Sequence, residues 1–279
     1  MRTTSPLGRP LDFSYRSNVL VGVLSVLVAA AYAAAEFLLE LSPASAWWAA
    51  GGAVFLTWAI ARELDPDHNG SAFVAMVVMA VLAAAVQPPL LFAFGVLTGV
   101  RLAAGTVGLP MKVADQLAVI MIGGVLGLSE AALAASLVLA AGVVVIGHYG
   151  RVAIAVATAS FVAALAVAWI AGAGSEWVGP GVLGITLAAV ATIALLLTVP
   201  VRTATSRTDV GGGLVVPSRV TLARWLAWSG VLFGFAIYGD SGLLAAAPLV
   251  AGSAGVALIR IAEPLLESSR TRTRVGSPR

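Results

Sequence analysis

Ten long apolar stretches, each bounded by charge, proline, glycine or a polar cluster, organise this chain. They run Val19–Leu41, Ala46–Ala61, Ser71–Val86, Pro89–Ala104, Val113–Leu128, Ala131–Gly147, Val152–Ala171, Trp177–Val201, Leu222–Tyr238 and Leu243–Ile261. The runs are apolar on every side, so they are not the one-sided helices of a soluble surface. A membrane-spanning helix needs about 20 such residues. A membrane β-barrel would instead show segments of about ten residues with alternating polarity. Alanine and leucine dominate the runs, and both favour helix. The pattern predicts an all-α polytopic integral membrane protein with about ten transmembrane helices and short loops. Ala46–Ala61 is short enough to be re-entrant, which would lower the count to nine or eight.

Composition removes the competing classes. Of 279 residues, 60% are hydrophobic and 10% charged, with a mean hydropathy of +1.00. A soluble domain carries about 25% charged residues. Disorder needs low hydrophobicity and high charge. There is no cysteine, which excludes disulfides, a thiol nucleophile and cysteine-based metal sites. The formal charge of +3 and pI of about 9.8 come from basic residues at span ends and tails. That is a topology signal rather than nucleic-acid affinity.

With the N-terminus inside and ten crossings, all 16 basic residues fall on the cytoplasmic side. The outer loops carry Glu130, Glu176 and Asp240, with Glu36 and Glu40 near the outer end of the first span. This partition predicts an N-in, C-in chain. Ala33-Ala34-Ala35 resembles a signal-cleavage site, but the apolar run around it is too long for a signal peptide, so the first span is read as uncleaved. Residues 1–18 form a cytoplasmic segment, 19–262 a single transmembrane domain and 263–279 a basic, disordered tail that can touch anionic lipid. The longest inner loop, 202–221, contains Gly211-Gly212-Gly213 and reads as a flexible connector. The Ala/Gly/Val/Arg-rich usage points to the plasma (inner) membrane of a prokaryote.

Charge-based chemistry is confined to the inner loops. The candidate substrate or ion site comprises Arg62, Glu63, Asp65, Asp67, Arg101, Lys112 and Asp115. Proline biases Asp65 towards an extended backbone, so Asp65 and Asp67 would point the same way and could share Mg²⁺ with substrate phosphates. Arg62, Arg101 and Lys112 would meet the phosphate oxygens. Equally, Asp65 suits an N-cap and Pro66 the first turn of the third helix, within a juxtamembrane ion-pair network. Membrane prenyltransferases carry paired Asp-rich motifs, and this chain has one Asp-Pro-Asp and no second acidic cluster.

Other positions read as structure. His68 reads as a solvated loop residue. Most tryptophans read as interfacial anchors, while Trp58 and Trp169 fall deeper, where they would pack or line a cavity. Gly95/Gly99, Gly123/Gly127 and Gly230/Gly234 permit close helix approach. Pro248 should kink the tenth span. Thr57, Thr98, Gln116 and Ser136 are the polar candidates inside spans.

Two functions fit. The first is a transporter or permease for a small solute, supported by minimal loops and small-residue packing. The second is a membrane enzyme acting on a lipid-linked (di)phosphate at the cytoplasmic leaflet, with Mg²⁺ held by Asp65 and Asp67. In length and ten-helix layout the chain is similar to the drug/metabolite transporter superfamily, a likeness of topology carried by no motif.

Overall fold

The structure is a computed structural model that describes residues 5–9, 11–39, 46–87, 89–129, 132–148, 150–172 and 178–275, with residues 39, 46 and 264–275 described by backbone alone. The described chain is helical. Its elements are α1 (Arg16–Leu39), α2 (Ala46–Leu64), α3 (Asn69–Leu82), α4 (Leu90–Ala104), α5 (Val113–Leu126), α6 (Leu133–Ile146), α7 (Arg151–Ile170), α8 (Val182–Thr198), α9 (Pro217–Tyr238), α10 (Asp240–Ala245) and α11 (Ala247–Val275). Each apolar run becomes a helix, and the tenth is divided between α10 and α11. Three helices are long and apolar enough to cross a membrane, Arg16–Leu38, Arg151–Ile170 and Pro217–Tyr238. Five more, α3, α4, α5, α6 and α8, are apolar but shorter.

Many large apolar side chains lie on the outer surface. Val26, Phe37, Val81, Met121, Trp169 and Leu196 are all exposed. A soluble monomer avoids contiguous apolar surface of this kind, and lipid accommodates it. Lipid also removes the hydrophobic drive for helix association, so packing must come from close backbone approach. Here α4 sits at the centre, against α2, α6 and α9. A Cβ on Gly99 would lie 2.5 Å from the Val138 carbonyl oxygen, and one on Gly142 would lie 2.2 Å from the Gly99 carbonyl oxygen. The α4–α6 crossing therefore requires glycine on both helices. Gly123 against Ser160 and Gly234 against Gly242 repeat the device, as the sequence spacing predicts.

Several local expectations are corrected. Asp65 is not the N-cap of α3. Its N–H still bonds the Ala61 carbonyl at 2.8 Å, so it closes α2, and His68 precedes α3. Pro248 does not kink a span. It is the second residue of α11, where its missing N–H costs no helical bond. Segment 202–221 is not a free connector. Its last residues, from Pro217, already belong to α9, and Ser206–Val215 fold as a small hairpin, with Thr208 N–H to Gly213 O at 2.8 Å and Val215 N–H to Ser206 O at 2.9 Å. The hairpin docks through Asp209 N–H to Thr106 O and Val210 N–H to Val107 O, both 3.1 Å. Trp58 packs inside the bundle, but Trp169 is exposed. Helix α11 continues as backbone helix to Val275, into the segment expected to be a disordered tail. Glu40, Glu130 and Glu176 lie outside the described residues.

Candidate functional site

Six segments meet at one end of the bundle: the N-terminal stretch, the α2–α3, α4–α5 and α6–α7 connections, the 202–221 hairpin and the middle of α11. Hydrogen bonds across sequence gaps tie most of them together, and the α6–α7 connection joins through the wall of a shared cavity. They carry almost all the described ionisable side chains. Those side chains form two regions.

The first is a closed network around two fully buried carboxylates, Glu63 and Asp65. Both close α2, where the helix dipole disfavours an acid. Local preference does not explain them, but tertiary partners do. Arg101 Nε donates to Glu63 Oε1 at 2.7 Å, and the Thr106 hydroxyl donates to Glu63 Oε2. Asp65 Oδ1 accepts from Arg260 Nη2 at 2.9 Å and lies 3.8 Å from Arg224 Nη2. His68 stands between carboxylates, with Nδ1 3.1 Å from Asp65 and Nε2 3.3 Å from Glu263. Burying such charges is tolerable only when each is paired and hydrogen-bonded.

Two arginines of α9 perform a second task here. The last carbonyls of a helix have no partner within it. Arg224 Nε donates to Leu64 O at 2.8 Å and its Nη1 to Thr198 O, which caps α2 and α8 together. Arg219 donates to Ala103 O and Leu102 O, each at 2.9 Å, and caps α4. The α4 cap also needs Gly105 in the left-handed conformation (φ 65°), where a Cβ would meet the Arg219 guanidinium at 2.6 Å.

Of the seven sequence candidates, the structure brings Glu63, Asp65 and Arg101 into contact with buried partners. Asp67 faces away from Asp65. Its carboxylate accepts the N–H of Ser206 at 2.8 Å and of Thr205 at 3.1 Å. Burial opposes its ionisation, but those donors outweigh burial and hold its carboxyl below the ordinary range. Asp115 is the third residue of α5. It accepts from Lys112 N–H at 2.8 Å and from the Ser5 hydroxyl at 2.5 Å, which is a helix-capping role. Arg62 bonds Asn69, and Lys112 is exposed. Among the described residues no group of three or more His, Cys, Asp or Glu side chains is arranged to hold a metal ion.

The second region is an open cavity of about 600 Å³ between the α4–α5 connection, α6, the start of α7 and the hairpin. Arg101, Arg151, Arg219 and His148 border it, together with Val143, Ile146, Val152 and Val156 from α6 and α7. Among the described residues that line it, none is acidic. His148 holds a left-handed backbone (φ 52°), an outlier of the kind that clusters at functional sites. The seven candidates included Arg101 but missed Arg151, Arg219 and His148. The signal available was a basic residue at the start of α7 and another at the start of α9, where the dipole disfavours a cation. The chain matches no family model, no curated protein and no solved structure.

Proposed function

We propose that this chain is a permease-like protein of the prokaryotic plasma membrane and that the basic cavity is where a small anionic solute enters it. The carrying observation is that cavity: about 600 Å³ and bordered, among the described residues, by three arginines and no carboxylate. The volume lies in the usual range for small-molecule sites, about 300–1,000 Å³. Its position at the basic end of the bundle makes the entrance cytoplasmic under the positive-inside rule. Glycine-lined crossings such as α4–α6 bring backbones into close approach, which suits helices that shift against one another.

The enzyme reading has less support. Mg²⁺ at Asp65 and Asp67 would have to displace Arg260 from one carboxylate and two backbone N–H groups from the other. The two residues serve different partners and do not fit a shared ion.

Reconstitution tests the permease reading. Vesicles containing the protein should release entrapped labelled inorganic phosphate, hexanoate or hexyl phosphate faster than protein-free vesicles. Equal release of all three from both preparations overturns it.

A further inference from the structure

Resting on the cavity identified above, we propose that its ligand is a phosphate monoester carrying an alkyl chain. The phosphate would sit among Arg101, Arg151, Arg219 and the first turn of α7, and the chain would lie along the α6–α7 wall.

Charge comes first. Three guanidinium groups border the cavity, and one carboxylate, Glu63, is bonded to one of them. Three minus one leaves a surplus of two positive charges. Of the other nearby carboxylates, Asp209 is ion-paired with Arg9 and Asp115 bonds the Ser5 hydroxyl and the Lys112 N–H, and neither is among the described residues that line the cavity. A phosphate monoester carries about −1.5 to −2 at neutral pH, which matches that surplus.

Donor geometry comes second. Among the described residues, Arg101 uses Nε on Glu63 and Nη1 on the Leu7 carbonyl and makes no bond through Nη2. Arg219 uses Nε and Nη2 on the α4 carbonyls and makes no bond through Nη1 to a described residue. Both guanidinium groups are thus held in place with a donor to spare. Arg151 is exposed and makes no side-chain hydrogen bond among the described residues, so it is able to close on a ligand. A carboxylate, with two oxygens, would leave part of this set unused, whereas a phosphate monoester presents three acceptor oxygens.

The start of α7 adds donors. Gly150 precedes it and, as at most helix starts of this chain, no side chain caps it and no acidic residue lies in its first turn. Gly150, Arg151, Val152 and Ala153 all border the cavity. An uncapped helix N-terminus beside three arginines attracts an anion through its unpaired N–H groups.

The apolar wall sets the rest of the ligand. Val143, Ile146, Val152 and Val156 line one side. They offer an alkyl chain contact and offer inorganic phosphate nothing.

Calorimetry on the full chain in phosphatidylcholine nanodiscs tests this. Hexyl phosphate should bind about tenfold or more tightly than either inorganic phosphate or hexanoate. Arg151→Gln should weaken hexyl phosphate by about tenfold while leaving the melting temperature unchanged. Adding phosphatidic acid to the nanodisc separates the two sources of such an ester. Competition identifies a membrane lipid, and no competition identifies a free ester; either result keeps the site. Absent hexyl phosphate binding, or equal binding by Arg151→Gln, overturns it. Vesicle release reads the permease proposal separately. Binding without release would break that function and keep this site, and release that ignores Arg151→Gln would do the reverse.

Discussion

Two arginine-rich regions lie side by side at one end of this bundle, and they share Arg101. Around Glu63 and Asp65, every carboxylate meets a guanidinium, a hydroxyl or an imidazole, and both acids are fully buried. Around the cavity, arginines outnumber acids and space is left between them. The residue type is the same. Compensation is what differs, and it separates charges that hold helices together from charges that are free to hold a ligand. Proximity alone, which is all a loop cluster shows, does not separate the two.

The largest effect should come from breaking the closed network. Arg101→Leu strands Glu63 in a buried site, and breaking such a pair costs about 3–5 kcal/mol. Denaturant unfolding in detergent should show that loss, and the double variant Glu63→Met with Arg101→Leu should recover most of it. A double variant as unstable as the single one would mean that the pair supports the fold through more than charge. Next comes Asp65→Ala, which leaves Arg224 buried without its carboxylate. A stranded buried polar group costs about 1–3 kcal/mol, and more when charged, readable by the same unfolding curve.

Asp67 lies between the regions and sharpens their boundary. Asp67→Asn should cost about 0.5–1.5 kcal/mol, the worth of an ordinary hydrogen bond. It should also expose the hairpin to protease first. The sign with pH follows from its depressed carboxyl. The stabilisation is present above the ordinary carboxylate value near 3.8 and is lost as pH falls through the lower folded value. The wild-type chain should therefore lose hairpin protection below about pH 4, and Asp67→Asn should show a flatter acid limb. The smallest effect on stability belongs to Arg151→Gln, within about 0.5 kcal/mol for an exposed side chain with no hydrogen-bond partner among the described residues. A destabilisation of several kcal/mol there would erase the distinction between the two regions.

Much of the helical layout was legible from hydropathy. Each run from Val19 to Ile261 becomes helix because apolar runs of this length satisfy their backbone most simply that way in lipid. The exceptions lie where a short-range rule met a tertiary partner. Asp65-Pro66-Asp67 reads as a helix start, yet Asp65 turns inward to Arg260, which lies 195 residues away. Gly211-Gly212-Gly213 reads as a flexible joint, yet Asp209 and Val210 just before it bond Thr106 and Val107 of another connection. In the candidate site, Glu63, Asp65 and Arg101 were visible as charges at helix ends. Arg219 and Arg224 were not, because their bonds run to main-chain carbonyls 26 to 160 residues distant, and a carbonyl leaves no trace in residue identity.

Element type, the apolar exterior and the placing of charge at the ends of runs follow from residue order. Each of these depends on the order of side chains along one stretch of chain. Which charges neutralise one another and which face open space follows from the packing of distant helices. Neutralisation requires donor and acceptor to meet within about 3 Å, and that distance is set by how α2, α4, α9 and α11 pack, not by any stretch of residues read alone.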